Sequence, residues 1–385
     1  MGWNCLANNE YRIPCLITFN FQSNLYMSKI FIIGATGHIG GAVLDLVYRK
    51  YPEIGIKILV RDDKKGKILV AKYPRVIFVL GDFTILEILT KEARAADIVI
   101  NAGPDYKHDI VISAILAGLA NRSPKAYYIH TSGAAKVWDS PDGSQSGTKV
   151  WDDLVEIQKL NSFPSTAIHA TSDSLVFAAA KDTNVAIVSP TIVYGLSPSP
   201  LHPTPFTLPS ALDSIARLNS GFTISSGANI QGYIHVLDIA KIYLSLINDA
   251  LQESASNPKK WGPESYYFAV SDELSFKEYM TCFISHISKH PYSLIQKTRI
   301  KELPLSEAIE VVGRSNTTFF GVNMRVKSTR AKEVLGWVPR EKMVREGLGE
   351  VLSAYFREKR EGGGAVLDVY FQEKNHGGHR NVSMK

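Results

Sequence analysis

Cysteine is scarce in this chain: Cys5, Cys15 and Cys282 are the 3 cysteines among 385 residues. Their spacing fits no metal pattern and one thiol must stay unpaired, so a reducing, cytoplasmic setting is expected and a disulfide or metal framework is not. Long apolar runs are missing too. No stretch reaches the roughly 18 apolar residues of a membrane span. The best N-terminal candidate, Ile13 to Phe21, is short, broken by Asn20 and lacks a basic flank, so no signal peptide is expected. Dense Lys/Arg blocks are absent as well. A formal charge of +6 is spread along the sequence, which speaks against nucleic acid as a partner and allows mild help for a phosphate-bearing ligand. There is no internal repeat.

What is present is ordinary for a soluble enzyme: 45% hydrophobic and 21% charged residues, enough to bury a large core. Apolar runs at Ile30–Ile33, Ile56–Val60, Val76–Leu80, Ile98–Ile100, Ala126–Ile129 and Val185–Val188 suit strands buried on both faces of a parallel sheet. Helical spacing lies between them; Ile39, Ala42, Val43, Leu46 and Val47 share one face. The alternation predicts an α/β, doubly wound Rossmann sheet with a smaller C-terminal substrate lobe. Residues 1–27 read as an extension, 28–200 with 230–262 as the dinucleotide-binding domain, 201–229 with 263–358 as the lobe, and 359–385 as a flexible tail. In that division Tyr266–Val270 and the helices near Phe276–Ile287 and Met343–Tyr355 belong to the lobe. Prolines 198, 200, 203, 205 and 209 mark a loop crossing the ligand cleft.

Gly34-Ala35-Thr36-Gly37-His38-Ile39-Gly40 follows the first strand and opens an amphipathic helix. A dinucleotide pyrophosphate needs a sharp turn, close backbone approach and a helix N-terminus there, and Gly34, Gly37 and Gly40 supply them, with Thr36, His38 and Ile39 between. After the second strand comes Arg61, suited to a 2′-phosphate, which favours NADP(H) over NAD(H); Asp62 or Asp63 is the competing choice, as an acid for the ribose. Asp82 and Phe83, past the third strand, are candidates for the adenine end, and Asn101-Ala102-Gly103, past the fourth, places small residues beside the cofactor. Turn chemistry is the alternative for both.

Further motifs follow in order. Tyr128-Ile129-His130-Thr131-Ser132-Gly133 ends a fifth strand; Pro190-Thr191-Ile192-Val193-Tyr194-Gly195, Ile234-His235-Val236-Leu237-Asp238-Ile239-Ala240, and Arg330-Ala331 with Leu335-Gly336-Trp337-Val338-Pro339 come later. Together with the glycine turn this order resembles the extended or atypical branch of the short-chain dehydrogenase/reductase superfamily, over roughly residues 28 to 350. The resemblance implies Ser132 as the serine that meets substrate oxygen, and Pro190, Ile192 and Val193 at the nicotinamide carboxamide. It implies a junction-fixing role for His235 and Asp238, and admits a homodimer through a four-helix contact.

The chemistry departs from that branch. Its Tyr-x-x-x-Lys pair should fall between Ser132 and Pro190, yet that interval holds no tyrosine. Of the 17 tyrosines, only Tyr355 and Tyr370 have lysine four residues on, and both lie near the C-terminus. His169-Ala170-Thr171-Ser172-Asp173 stands in the register of the missing pair, with Asp173 capping or pairing locally as its simplest role. The candidate catalytic residues are therefore Ser132, His169 and, past the fourth strand, Tyr106, with Tyr194 and Tyr233 as further cleft candidates. Two readings follow: an oxidoreductase or epimerase-like enzyme acting on a small carbonyl or alcohol, such as a secondary metabolite or sugar nucleotide, with a non-standard proton donor; or a non-catalytic dinucleotide-binding regulator similar to the nitrogen-metabolite-repression regulators of fungi.

Overall fold

Alternate residues of the first strand serve two different cores. Ile30 and Ile32 face one side of the sheet and Phe31 and Ile33 the other, all at most 1% exposed. A strand apolar at every position must be covered twice, and helices cover it on both faces. The computed structural model describes residues 29–103, 107–252, 257–290, 295 and 298–361. Counting the strands of the main sheet alone, they are β1 (Lys29–Ile33), β2 (Gly55–Val60), β3 (Val76–Leu80), β4 (Ile98–Asn101), β5 (Tyr127–Thr131), β6 (Asn184–Pro190) and β7 (Tyr266–Ala269). Their spatial order is β7-β6-β5-β4-β1-β2-β3, all parallel. The order reverses between β1 and β4, so a crevice opens beyond their carboxyl ends, where doubly wound sheets bind ligands.

On one face lie α1 (His38–Lys50) and α2 (Asp63–Lys72), with the helix Val236–Ala250 packed beside α1. On the other lie Leu86–Ala95, Asp109–Leu119 and Ala170–Ala178. Tyr266–Val270, expected in the smaller lobe, is corrected here: Tyr266–Ala269 is the outer strand β7, pairing Tyr266 with Ile187. Its four residues are fully buried, as a strand covered on both faces requires.

The remaining lobe has its own apolar centre. Leu212, Phe222, Phe276, Phe283, Leu352 and Phe356 meet there, contributed by Thr207–Leu218, Gly221–Ile224, Phe276–Lys289 and Val344–Glu361. The helix at Phe276 begins with a reciprocal cap, in which Ser275 Oγ accepts from the Glu278 N–H and the Glu278 carboxylate accepts from Ser275. Asp238, which the resemblance assigns to the loop-to-helix junction, sits in the first turn of Val236–Ala250 and ties that helix to the segment Trp337–Glu341. That buried carboxylate accepts the backbone N–H groups of Arg340 and Glu341, while Trp337 Nε1 donates to its carbonyl. His235 caps the same helix by accepting from Leu237 N–H. No helix among the described residues is long and apolar enough to cross a membrane.

Candidate functional site

The glycine turn is built by close approach. Gly34 has φ +83°, and a Cβ there would lie 2.4 Å from the carbonyl oxygen of Ala102. A Cβ on Gly40 would lie 2.2 Å from the Gly34 oxygen. Side chains cannot enter either place, so β1, β4 and α1 meet as bare backbone. Gly37 occupies the N-cap of α1 and supplies no side-chain acceptor, so the first N–H groups of the helix point outward with its partial positive charge. These features fit a dinucleotide pyrophosphate.

The proline-rich segment lies against this turn as a strap. Ser199 Oγ and His202 Nδ1 donate to the Thr36 carbonyl at 3.1 and 2.8 Å, Ser197 Oγ donates to the His38 carbonyl at 2.7 Å, and Lys72 holds the Pro198 carbonyl. His38 Nδ1 returns a bond to the His202 carbonyl. The strap thus engages carbonyls of the turn. Burial lowers the His38 pKa to about 4, keeping the ring neutral. Ile39 packs on the core beneath.

At the adenosine end, Arg61 is exposed just past β2, while both neighbouring acids are engaged. Asp62 caps α2 by accepting from Lys64 N–H, and Asp63 pairs with Lys67 at 2.6 Å. Asp82 Oδ1 accepts from the hydroxyl and N–H of Thr84, which hold the carboxyl below its usual range, with Arg61 adding to the effect. Phe83 packs edge-on against His108 and stands near Gly103. Asn101 is buried; its carboxamide accepts from Gly103 N–H and joins Tyr128 and His130 in a polar cluster below the crevice.

Ser132 directly follows β5, its N–H bonded to the Val188 carbonyl of β6. The residue is 6% exposed and its Oγ has no hydrogen-bond partner among the described residues. His169 precedes the helix Ala170–Ala178 as its N-cap, at left-handed φ +68°. A Cβ on Gly133 would lie 2.5 Å from His169 Nε2, so the imidazole rests on the residue after Ser132. The structure brings these two candidates together across 37 residues of chain. A polar cleft of about 260 Å³ reaches His169, lined also by Lys107, Ser165 and Ser172. Tyr106 lies outside the described residues.

Pro190 ends β6 while Ile192 and Val193 run into a small sheet beside it, Ile192 buried and Val193 half-buried. Tyr194 and Tyr233, read as cleft candidates, are buried, and both line a small cavity shared with Ile192, Leu208 and Tyr279. Tyr194 donates to the Lys342 carbonyl, and Tyr233 stacks on Tyr279 at 1% exposure. Asp173 does not pair locally: its carboxylate meets Lys136, a residue sequence reasoning passed over. The signal available was a lone charge in Ala134-Ala135-Lys136-Val137, whose aliphatic neighbours announce burial.

Residues 30–122 match the family model of the saccharopine dehydrogenase NADP binding domain. The oxidase ucsJ of Acremonium sp is 28% identical over 326 residues, covering 81% of this chain and 92% of that protein. A double mutant of DesIV, the dTDP-glucose 4,6-dehydratase of Streptomyces venezuelae, solved with NAD and DAU, matches with TM-score 0.59 at 16% identity over 86% of this chain and 98% of its own. The terminal R domain from the myxalamid PKS-NRPS biosynthetic pathway matches with TM-score 0.61 at 15% identity, covering 86% and 91%. The chain therefore shares the Rossmann α/β fold of these neighbours, residues 30–122 are similar to an NADP-binding domain, and a separate apolar core lies in its C-terminal part.

Proposed function

We propose that this chain is an NADP(H)-dependent oxidoreductase for a small carbonyl or alcohol, with Ser132 orienting the reacting oxygen and His169 exchanging its proton. The observation that carries this is the seating of His169 Nε2 against Gly133, the residue after a buried serine whose hydroxyl has no hydrogen-bond partner among the described residues. A bound nicotinamide gives or takes the hydride at the substrate carbon. Ser132 Oγ–H donates to the carbonyl oxygen, and the imidazole of His169 delivers the proton that this oxygen gains as the hydride arrives, or removes it in the reverse direction. Imidazole suits both roles near neutral pH. Gly34, Thr36, Gly37, His38, Ile39 and Gly40 would hold the pyrophosphate, Asn101, Ala102 and Gly103 would flank the cofactor, and Pro190, Ile192 and Val193 would border the nicotinamide. Arg61 would meet the 2′-phosphate, since Asp62 and Asp63 are committed elsewhere. The oxidase relative supports redox chemistry.

Titration with NADPH and NADH, followed by stopped-flow oxidation of bound NADPH against a panel of carbonyl compounds, tests this. Tight NADPH binding with consumption reduced at least tenfold in Ser132→Ala and in His169→Phe is expected. Tight binding with no consumption across the panel would replace the enzyme by a dinucleotide-responsive regulator.

A further inference from the structure

The segment that carries Ser132 and the helix that carries His169 are tied by a buried ion pair. Lys136 Nζ lies 2.8 Å from Asp173 Oδ2, and the two side chains are 2% and 1% exposed. Every other ion pair found among the described residues has at least one partner markedly more exposed. Removing two charges from water is costly and an apolar pair often does as well, so fold stability alone is a poor reason for such a pair. Asp173 Oδ1 has no hydrogen-bond partner among the described residues, so there the carboxylate is held through Oδ2 by Lys136. The ammonium also sits 5.3 Å from the ring centre of Tyr266, whose hydroxyl is fixed to Ser189 of β6.

What the pair holds is a strained arrangement. His169 is a non-glycine residue at φ +68°, and its ring is pressed on Gly133 where no side chain would fit. Such conformations persist only where the surroundings over-determine them. Lys136 lies three residues past Gly133 and Asp173 one helical turn past His169, so the pair bridges the two segments next to their contact. We propose that Lys136 and Asp173 are positioning residues, a clamp that holds the His169 imidazole on Gly133 beside Ser132. The clamp rests on the oxidoreductase reading for its purpose, but not for its geometry.

The test replaces the pair by Lys136→Met with Asp173→Leu, and separately inverts it by Lys136→Asp with Asp173→Lys. Thermal stability, NADPH affinity, kcat and KM for a carbonyl that the wild type reduces, and the ¹H–¹⁵N signals of the His169 ring are compared. The apolar pair is expected to stay folded and bind NADPH normally, while kcat falls at least tenfold, KM moves less than about twofold, and the His169 signals shift or broaden. Inversion should recover part of kcat and a sharp His169 signal. An apolar pair with wild-type kcat and unchanged His169 signals would overturn the clamp and leave a purely structural ion pair. Should that double variant fail to fold, Asp173→Asn, which keeps shape but removes the charge, is judged by the same criteria. If the wild type turns over no carbonyl, the oxidoreductase reading falls, and the His169 signals alone decide the clamp.

Discussion

Arg61 reaches solvent unencumbered because its acidic neighbours have other work: Asp62 caps a helix and Asp63 pairs with Lys67. A guanidinium meeting a phosphate makes charge-assisted hydrogen bonds worth about 1.5–3 kcal/mol, so Arg61→Ala should weaken NADPH about 10- to 100-fold and NADH hardly at all. Equal loss for both dinucleotides in a titration would remove Arg61 from the 2′-phosphate. His38 makes a prediction of a different kind. Burial holds its folded pKa near 4, below the ordinary 6.5 of the unfolded chain. Above pH 6.5 both states are neutral and the residue adds no pH dependence. As the pH falls from 6.5 towards 4, the unfolded ring binds a proton that the folded ring refuses, and stability drops by up to about 3 kcal/mol. His38→Asn cannot titrate, so its melting temperature should fall less between pH 7 and pH 4.5 than that of the wild type. Parallel losses in calorimetry would assign the acid sensitivity elsewhere. Residue-scale sequence reading named Ser132 from the resemblance and His169 from register, but passed over Lys136, because nothing local links it to Asp173 37 residues away.

Elements were more legible than contacts. The run Val76–Leu80 coincides with its strand, but it is the edge of the sheet and not buried on both faces as expected. Ile77 is 64% and Leu80 49% exposed, because an edge strand has one neighbour and, among the described residues, no helix covers its outer side. The glycine turn was equally plain, because missing side chains at Gly34 and Gly40 are a property of sequence and geometry together. Gly40→Ala should therefore cost about 2 kcal/mol or more and weaken NADPH at least tenfold, its new Cβ being forced onto the Gly34 carbonyl. Unchanged affinity with only a lower melting temperature would show that the turn adapts without moving its N–H groups. Tyr266–Ala269 was misassigned for a physical reason. Its apolar run is shared by any buried strand, and chain position suggested the lobe, whereas strand pairing with β6 is a tertiary fact. The strap was legible as a loop from its prolines, yet its hydrogen bonds to Thr36 and His38 join residues more than 150 apart in sequence.

At the scale of the whole molecule, the lobe core and the core beneath the dinucleotide turn are distinct apolar clusters, and Asp238 ties the helix beside α1 to the segment Trp337–Glu341. Phe356 is fully buried in the lobe core and touches none of the residues assigned to the cofactor. Phe356→Ala removes an aromatic side chain from a packed interior and should cost about 3–5 kcal/mol. Its consequences should divide by lobe. Affinity for NADPH should stay within about twofold, because the glycine turn, Arg61 and the strap rest on α1, α2 and the sheet. Substrate KM should rise, because the same core carries Leu208, Leu348 and Val351, which line a small cavity with Ile192, Tyr194 and Tyr233. Calorimetry and a dinucleotide titration on the same preparation decide it. A loss of NADPH affinity in step with the loss of stability would mean that the lobe core is part of the dinucleotide site's support.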